Sequence, residues 1–202
     1  QKHSGVELET NYMVNDMLDL MFVASFGNWK FNGDANGNYQ ETEYNSEGQA
    51  VGYTTTEYAY ALDGLYVGDM PQTSYVLGVT LKPIKDLRIQ AIHKMYDKNY
   101  SDWSPSAREF DGTNDDADRA QVWEAPSYNR LDLHMSYKLP KVKDLDMMLT
   151  ANIFNVLDEV YVQDAVDNSQ YNGYGSKNHL PHNAEVFLGT PRYANIGLSI
   201  GF

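Results

Sequence analysis

Pro191 to Phe202 reads PRYANIGLSIGF and alternates with a period of two. Ala194, Ile196, Leu198, Ile200 and Phe202 fall on one face, and Tyr193, Asn195, Gly197, Ser199 and Gly201 on the other. Successive side chains of a strand point to opposite faces, so this is an extended strand with one apolar side and one small, polar side. The sequence ends on the aromatic ring itself, with no polar tail. A water-soluble sheet hides or blunts such an edge. A strand of an outer-membrane barrel instead turns its apolar side to lipid and its polar side to the lumen.

The same grammar runs back through the chain. Val6, Leu8, Thr10, Tyr12 and Val14 alternate with Glu7, Glu9, Asn11 and Met13. Asn15 and Asp16 supply a turn into a second strand, with Leu18, Leu20, Phe22, Ala24 and Phe26 on one face. After Phe31 a polar stretch rich in Gly, Asn and acid reads as a long loop, with room for a hairpin near Tyr53 to Ala61. Alternation resumes at Tyr75, Leu77, Val79 and Leu81, turns at Pro83 to Asp86, and continues from Leu87 through Tyr96 to Tyr100. Leu131, Leu133, Met135, Tyr137 and Leu139 oppose Arg130, Asp132, His134, Ser136 and Lys138. Leu145, Met147, Leu149, Ala151 and Ile153 follow a turn near Pro140, and a last long loop spans about Asp158 to Thr190.

About seven strands result, longer than the usual globular strand and suited to a tilted membrane crossing. Their connections alternate short and long, as on the two rims of an outer-membrane barrel. Loops this long are uncommon in compact soluble domains. Tyr12, Tyr137 and Phe202 fall near the short-turn rim, and Phe26, Trp29, Tyr75, Tyr96, Tyr128 and Tyr193 near the long-loop rim. Two aromatic belts suit a bilayer interface. The expected fold is an all-β, antiparallel transmembrane β-barrel segment. A soluble sandwich that binds carbohydrate remains the competing architecture, because alternation alone fits both.

Composition excludes several other classes. The 202 residues carry a net charge of -13, which disfavours nucleic-acid phosphates as partners. Mean hydropathy is -0.54, and no run of about 18 apolar residues exists to make a membrane helix. There is no cysteine, hence neither a disulfide framework nor a thiolate metal site. The chain starts at Gln1 and is read as a processed or truncated piece of something longer.

A family resemblance rests on particular residues. Asn195, Gly197, Ile200 and Phe202 resemble the terminal β-signal read by the barrel-assembly machinery. Within LTANIFNVLDEVYVQDAVDN (Leu149–Asn168), the residues Asn152, Phe154, Asn155, Leu157, Asp158, Glu159 and Tyr161 resemble the penultimate-strand box of TonB-dependent outer-membrane receptors. KHSGVELETNY (Lys2–Tyr12), YNRLDLHMSYKL from Tyr128, the hairpin around Pro83, and Pro191, Arg192 and Tyr193 match in the family's order. The resemblance implies the last seven strands of a 22-stranded barrel in the outer membrane of a Gram-negative bacterium. It also implies a plug domain and a contact with the energising TonB complex outside this chain, and in one branch a surface lipoprotein. The implied function is import of a scarce nutrient such as an oligosaccharide, siderophore or cobalamin. A passive porin or adhesin barrel shares the strand grammar and is the alternative.

No residues have catalytic spacing, and neither an enzyme nor a cofactor is expected. Asp111, Asp115, Asp116 and Asp118 could offer oxygens to calcium, but their spacing is not that of an EF-hand, and a solvated acidic loop is the plainer reading. Asp34, Asn36 and Asn38 read as a turn. His179 and His182, with Glu185 nearby, form an HxxH that Pro181 keeps out of a helix, so metal binding is not expected there. His134 joins a charged lumen patch. Trp103, Phe110, Trp123, Tyr171 and Tyr174 are loop aromatics that could stack on a ligand.

Overall fold

The computed structural model describes residues 1–110, 117–141, 143–169, 171 and 178–201. Its strands are β1 (Lys2–Asn15), β2 (Leu18–Lys30), β3 (Ala35–Tyr44), β4 (Ala50–Tyr60), β5 (Thr73–Leu81), β6 (Leu87–Asp97) and β7 (Asn99–Tyr100). A single helical turn, α1 (Pro105–Arg108), precedes β8 (Glu109–Phe110), β9 (Glu124–Ala125), β10 (Tyr128–Lys138) and β11 (Asp146–Phe154). Then come β12 (Val162–Val166), a 3-10 turn (Pro181–Asn183), β13 (Glu185–Leu188) and β14 (Tyr193–Gly201).

The seven long strands form one antiparallel meander in the order β1-β2-β5-β6-β10-β11-β14. Its short turns follow from local chemistry. Asn15 bends the first by accepting the Met17 N–H on its side-chain oxygen at 2.9 Å. Asp86 and Lys143 take left-handed φ values of 67 and 56° in the other two. The long polar stretch after Phe31 is more ordered than its composition suggests. It forms a hairpin of β3 and β4 that starts well before Tyr53 and pairs with β8 as a three-stranded arm. The strand expected to run through Tyr100 instead breaks at Lys98, whose φ of 54° is incompatible with an extended ladder. Asn99 and Tyr100 then pair with β9 in a separate ribbon.

Register shows what the sheet faces. Tyr12, Leu20, Val79, Ala91, Leu133, Ile153 and Ala194 are paired in one row across all seven strands. One residue further along lies the row Met13, Asp19, Thr80, Gln90, His134, Asn152 and Asn195. Paired residues share a face, so one side of the sheet is apolar and the other polar. Among the described residues nothing covers the apolar side: Val6, Ile196 and Leu198 are 69, 79 and 57 % exposed. The element pairs in appreciable contact are hydrogen-bonded strand neighbours, and none joins two stacked sheets. A soluble sandwich would bury this face about 10 Å from a second sheet.

The packed apolar cluster lies in the long connections instead. Leu62, Leu65, Tyr100 and Val122 are buried there, flanked by Phe31, Ala35, Tyr60, Tyr66 and Trp103. A protein whose longest strands expose leucine while its loops bury it has its solvents arranged as a membrane arranges them. The sheet does not close on itself among the described residues, and β1 and β14 are its open edges.

The aromatic belts need a correction. Phe26 and Tyr75 do lie on the apolar face, ring to ring at 5.4 Å. Trp29, Tyr96, Tyr128 and Tyr193 have the parity of the polar face. Sequence position along a strand set their height correctly, but the alternation turns them to the polar face.

Candidate functional site

The polar face carries a hydrogen-bonded ladder. Gln90 donates to the Thr80 hydroxyl at 3.1 Å. His134 Nδ1 donates to Asn152 Oδ1 at 2.8 Å, and Asn152 Nδ2 donates to Asn195 Oδ1 at 2.8 Å. Asn152 and Asn195 are thereby joined across β11 and β14. Gly197 sits where a Cβ would lie 2.8 Å from Thr150 Oγ1, and that hydroxyl donates to the Gly197 carbonyl. Ile200 is exposed on the apolar side, and Phe202 lies outside the described residues. On the polar face Lys94 and Arg130 converge on the buried Asp132 at 2.9 and 3.6 Å.

The box after β11 closes the base of the last long connection. Asn155 is fully buried with φ 50°. Its side chain accepts from the Glu159 N–H at 3.0 Å and donates to the Glu159 and Thr190 carbonyls at 2.9 and 3.2 Å. Its own N–H donates to Asp132 Oδ1 at 2.9 Å. Asp158 accepts from the Arg192 N–H at 2.9 Å. Phe154 stacks on Tyr193 at 4.6 Å, and Tyr161 on Tyr128 at 4.3 Å. Arg130 donates to the Tyr161 hydroxyl at 3.0 Å. Gly189 presses against this ring so closely that a Cβ would stand 1.9 Å from it. Leu157 is exposed at the rim. The box residues therefore tie the entry and exit of one loop together and anchor it to the polar face.

The family model described as TonB dependent receptor-like, beta-barrel matches residues 1–156. The chain belongs to the TonB-dependent receptor β-barrel family. Members are outer-membrane proteins of Gram-negative bacteria, and transport rather than catalysis characterises the family. Among solved structures the chain is similar to the ferric-catecholate import receptor Fiu from E. coli K12 in its closed form. Identity is 16 % and the TM-score is 0.41, over 98 % of this chain and 27 % of that one. The chain thus spans little more than a quarter of that receptor. No curated protein matches.

The long connections hold a buried charge cluster. Arg108, from α1, is wholly enclosed. It donates to the Asp118 carbonyl at 2.9 Å and lies 3.4 Å from both the Asp118 and Asp167 carboxylates. Burial pushes the guanidinium below its usual range, and the two carboxylates oppose that shift. His179 faces a carboxylate at each ring nitrogen, Asp167 at 2.5 Å and Asp118 at 2.8 Å. Asn168 accepts the His179 N–H at 3.1 Å, and both residues have left-handed backbones. This cluster clasps the connection after β6 to the connection after β11. Of the HxxH residues, His179 is engaged by the two aspartates, and the nearby Glu185 accepts from Ser169 at 2.8 Å. Asp118 is a clasp residue, while Asp111, Asp115 and Asp116 lie outside the described residues.

The loop aromatics have different surroundings. Trp103 packs against Phe31 and Tyr60 in the loop core. Trp123 is half-buried, and its carbonyl accepts from Ser101. Tyr171 is 80 % exposed, and Tyr174 lies outside the described residues. Phe110 pairs through β8 with β4 and lines a groove. Sequence reading missed Arg108 and Asp167, which have no motif, and Gln72, which is buried and bonded to Trp29 N and O.

A pH response follows from three aspartates. Burial first, then the neighbouring carboxylates of Asp69 and Asp164, pushes Asp102 up to about 6. An unfolded aspartate titrates at about 3.9. The folded loops therefore bind this proton more tightly than the unfolded chain does. The resulting stabilisation is complete below about pH 4 and is lost as pH rises through about 6. Asp102→Asn should raise the denaturant midpoint of outer-loop tryptophan fluorescence at pH 7.5 and leave it nearly unchanged at pH 4. Equal pH dependence of variant and parent would overturn this assignment.

Proposed function

We propose that residues 1–202 form the last seven strands of a 22-stranded barrel in an energy-coupled receptor that imports a scarce nutrient. The uncovered apolar row across all seven strands supports this reading most directly. Open edges at β1 and β14 require more strands, because unpaired backbone groups in lipid cost several kcal/mol each. The polar ladder then faces a plug domain, outer-membrane lipid surrounds the apolar rows, and the long loops meet substrate and, in one branch of such systems, a surface lipoprotein. Asn195, Gly197, Ile200 and Phe202 serve barrel assembly, and Phe110, Trp123, Tyr171 and Tyr174 remain the loop aromatics for ligand contact.

The test is growth on limiting nutrients. Deleting the receptor that carries this chain and disabling the energising complex should abolish uptake of the same compound. Uptake that continues without the energising complex would make the protein a passive barrel.

A further inference from the structure

The arm of β3, β4 and β8 contains a groove of about 420 Å³. Its register pairs Asn36 with Ala59, Asn38 with Glu57, and Ala59 with Phe110, so these residues share one face. The Phe110 ring supplies an apolar wall. The Asn36 and Asn38 carboxamides and the Glu57 carboxylate supply donors and acceptors beside it. Gly37 and Tyr58 also line the groove, with the Tyr58 ring so close over Gly37 that a Cβ there would stand 2.7 Å from its hydroxyl.

Charge narrows the ligand. From Phe31 to Leu81 the sequence has seven carboxylates and neither Lys nor Arg. The cation that reaches Phe110 is Arg119, whose guanidinium carbon is 5.6 Å from the ring centroid. Asp34 already holds that guanidinium through two bonds of 2.9 and 2.8 Å. The Asp34 carboxyl is correspondingly held down at about 2, chiefly by the Arg119 hydrogen bond. An anionic chelate entering this groove would meet Glu57 with no uncompensated cation beside the groove among the described residues. A neutral polyol loses nothing to that field. Its C–H face can lie on the aromatic ring while vicinal hydroxyls bridge carboxamide and carboxylate.

We propose that this groove is an outer capture subsite for a neutral saccharide. The inference deepens the importer reading and rests on it, since that reading places the arm on the outer surface. The experiment uses the receptor carrying this chain, in lipid vesicles. It measures equilibrium binding of neutral hexasaccharides of glucose, mannose, galactose and xylose, with a ferric tris-catecholate complex as anionic comparator. At least one saccharide should bind. Phe110→Ala should weaken it about tenfold, while Phe110→Tyr retains it. The exposed variants Asn38→Ala and Glu57→Gln, which leave the β4–β8 packing alone, should each weaken it roughly threefold. Inserted receptor that binds none of the saccharides, binds them equally in all variants, or binds the ferric complex through Phe110 overturns the subsite alone. Failure of the protein to insert overturns the importer reading and the subsite with it.

Discussion

Arg108→Leu is expected to release the long connections after β6 and β11 from one another. The side chain has no exposed surface, and two carboxylates from different segments approach its guanidinium. Removing one partner from a buried ion cluster leaves the others desolvated without compensation, a loss of about 3–5 kcal/mol. Asp167 is the group most affected, because it is also buried, its Oδ1 has no hydrogen-bond partner among the described residues, and its Oδ2 would keep His179 alone. Amides of residues 167–169 and His179 should then exchange at least roughly a hundredfold faster, since each 1.4 kcal/mol is a factor of ten. The exposed pair Arg192–Asp158, at 3.6 Å, is the internal control. Arg192→Leu should cost about 1 kcal/mol or less, as half-exposed pairs do. Unchanged protection after Arg108→Leu would show that the clasp contributes nothing to loop order.

The contrast between those two arginines also marks what a sequence can reveal. Arg192 stands in a recognisable context, between Pro191 and Tyr193 at the start of the last strand. Arg108 stands in a loop of no recognisable pattern, and its partners are 10, 59 and 71 residues away. The seven strands were legible because alternation is a local signal that needs no knowledge of the partner strand. The rows across them were not, yet each short turn limited the register to few choices. Trp29 and Tyr193 show the cost of reading height without parity. Their distance from the rim is right, but their parity, which the alternation already carries for Tyr193 and the pairing confirms for both, puts them on the polar side. The β3–β4 arm was legible only in part, as room for a hairpin near Tyr53 to Ala61, and its full extent from Ala35 was not. Its strands are polar on both faces, exposed along most of their length, and held by cross-strand pairs such as Thr54 donating to Glu43. Hydrophobic periodicity cannot report such a hairpin.

Leu133→Arg probes the solvent of the apolar face itself. Leu133 lies within the row, between Ala91 and Ile153, with four paired strands on its β6 side and two on its β11 side. A cation placed there in hydrocarbon should destabilise the folded receptor by about 2–4 kcal/mol near the midplane. Ser136→Arg is a fair comparison, since Ser136 pairs with Arg88 and Thr150 on the polar face of the same strand. There the arginine meets water, and the loss should stay below about 1 kcal/mol. Denaturant titration in vesicles reads both values. A large loss at Leu133 alone would also occur if another protein sheet covered the face, so the discriminating measurement uses lipid as the reporter. A fluorophore at Ile196→Cys should be quenched by bromine on the acyl chains, and one at Asn195→Cys should not. Adjacent residues with opposite quenching require a strand with hydrocarbon on one side and none on the other, which no covering sheet can imitate.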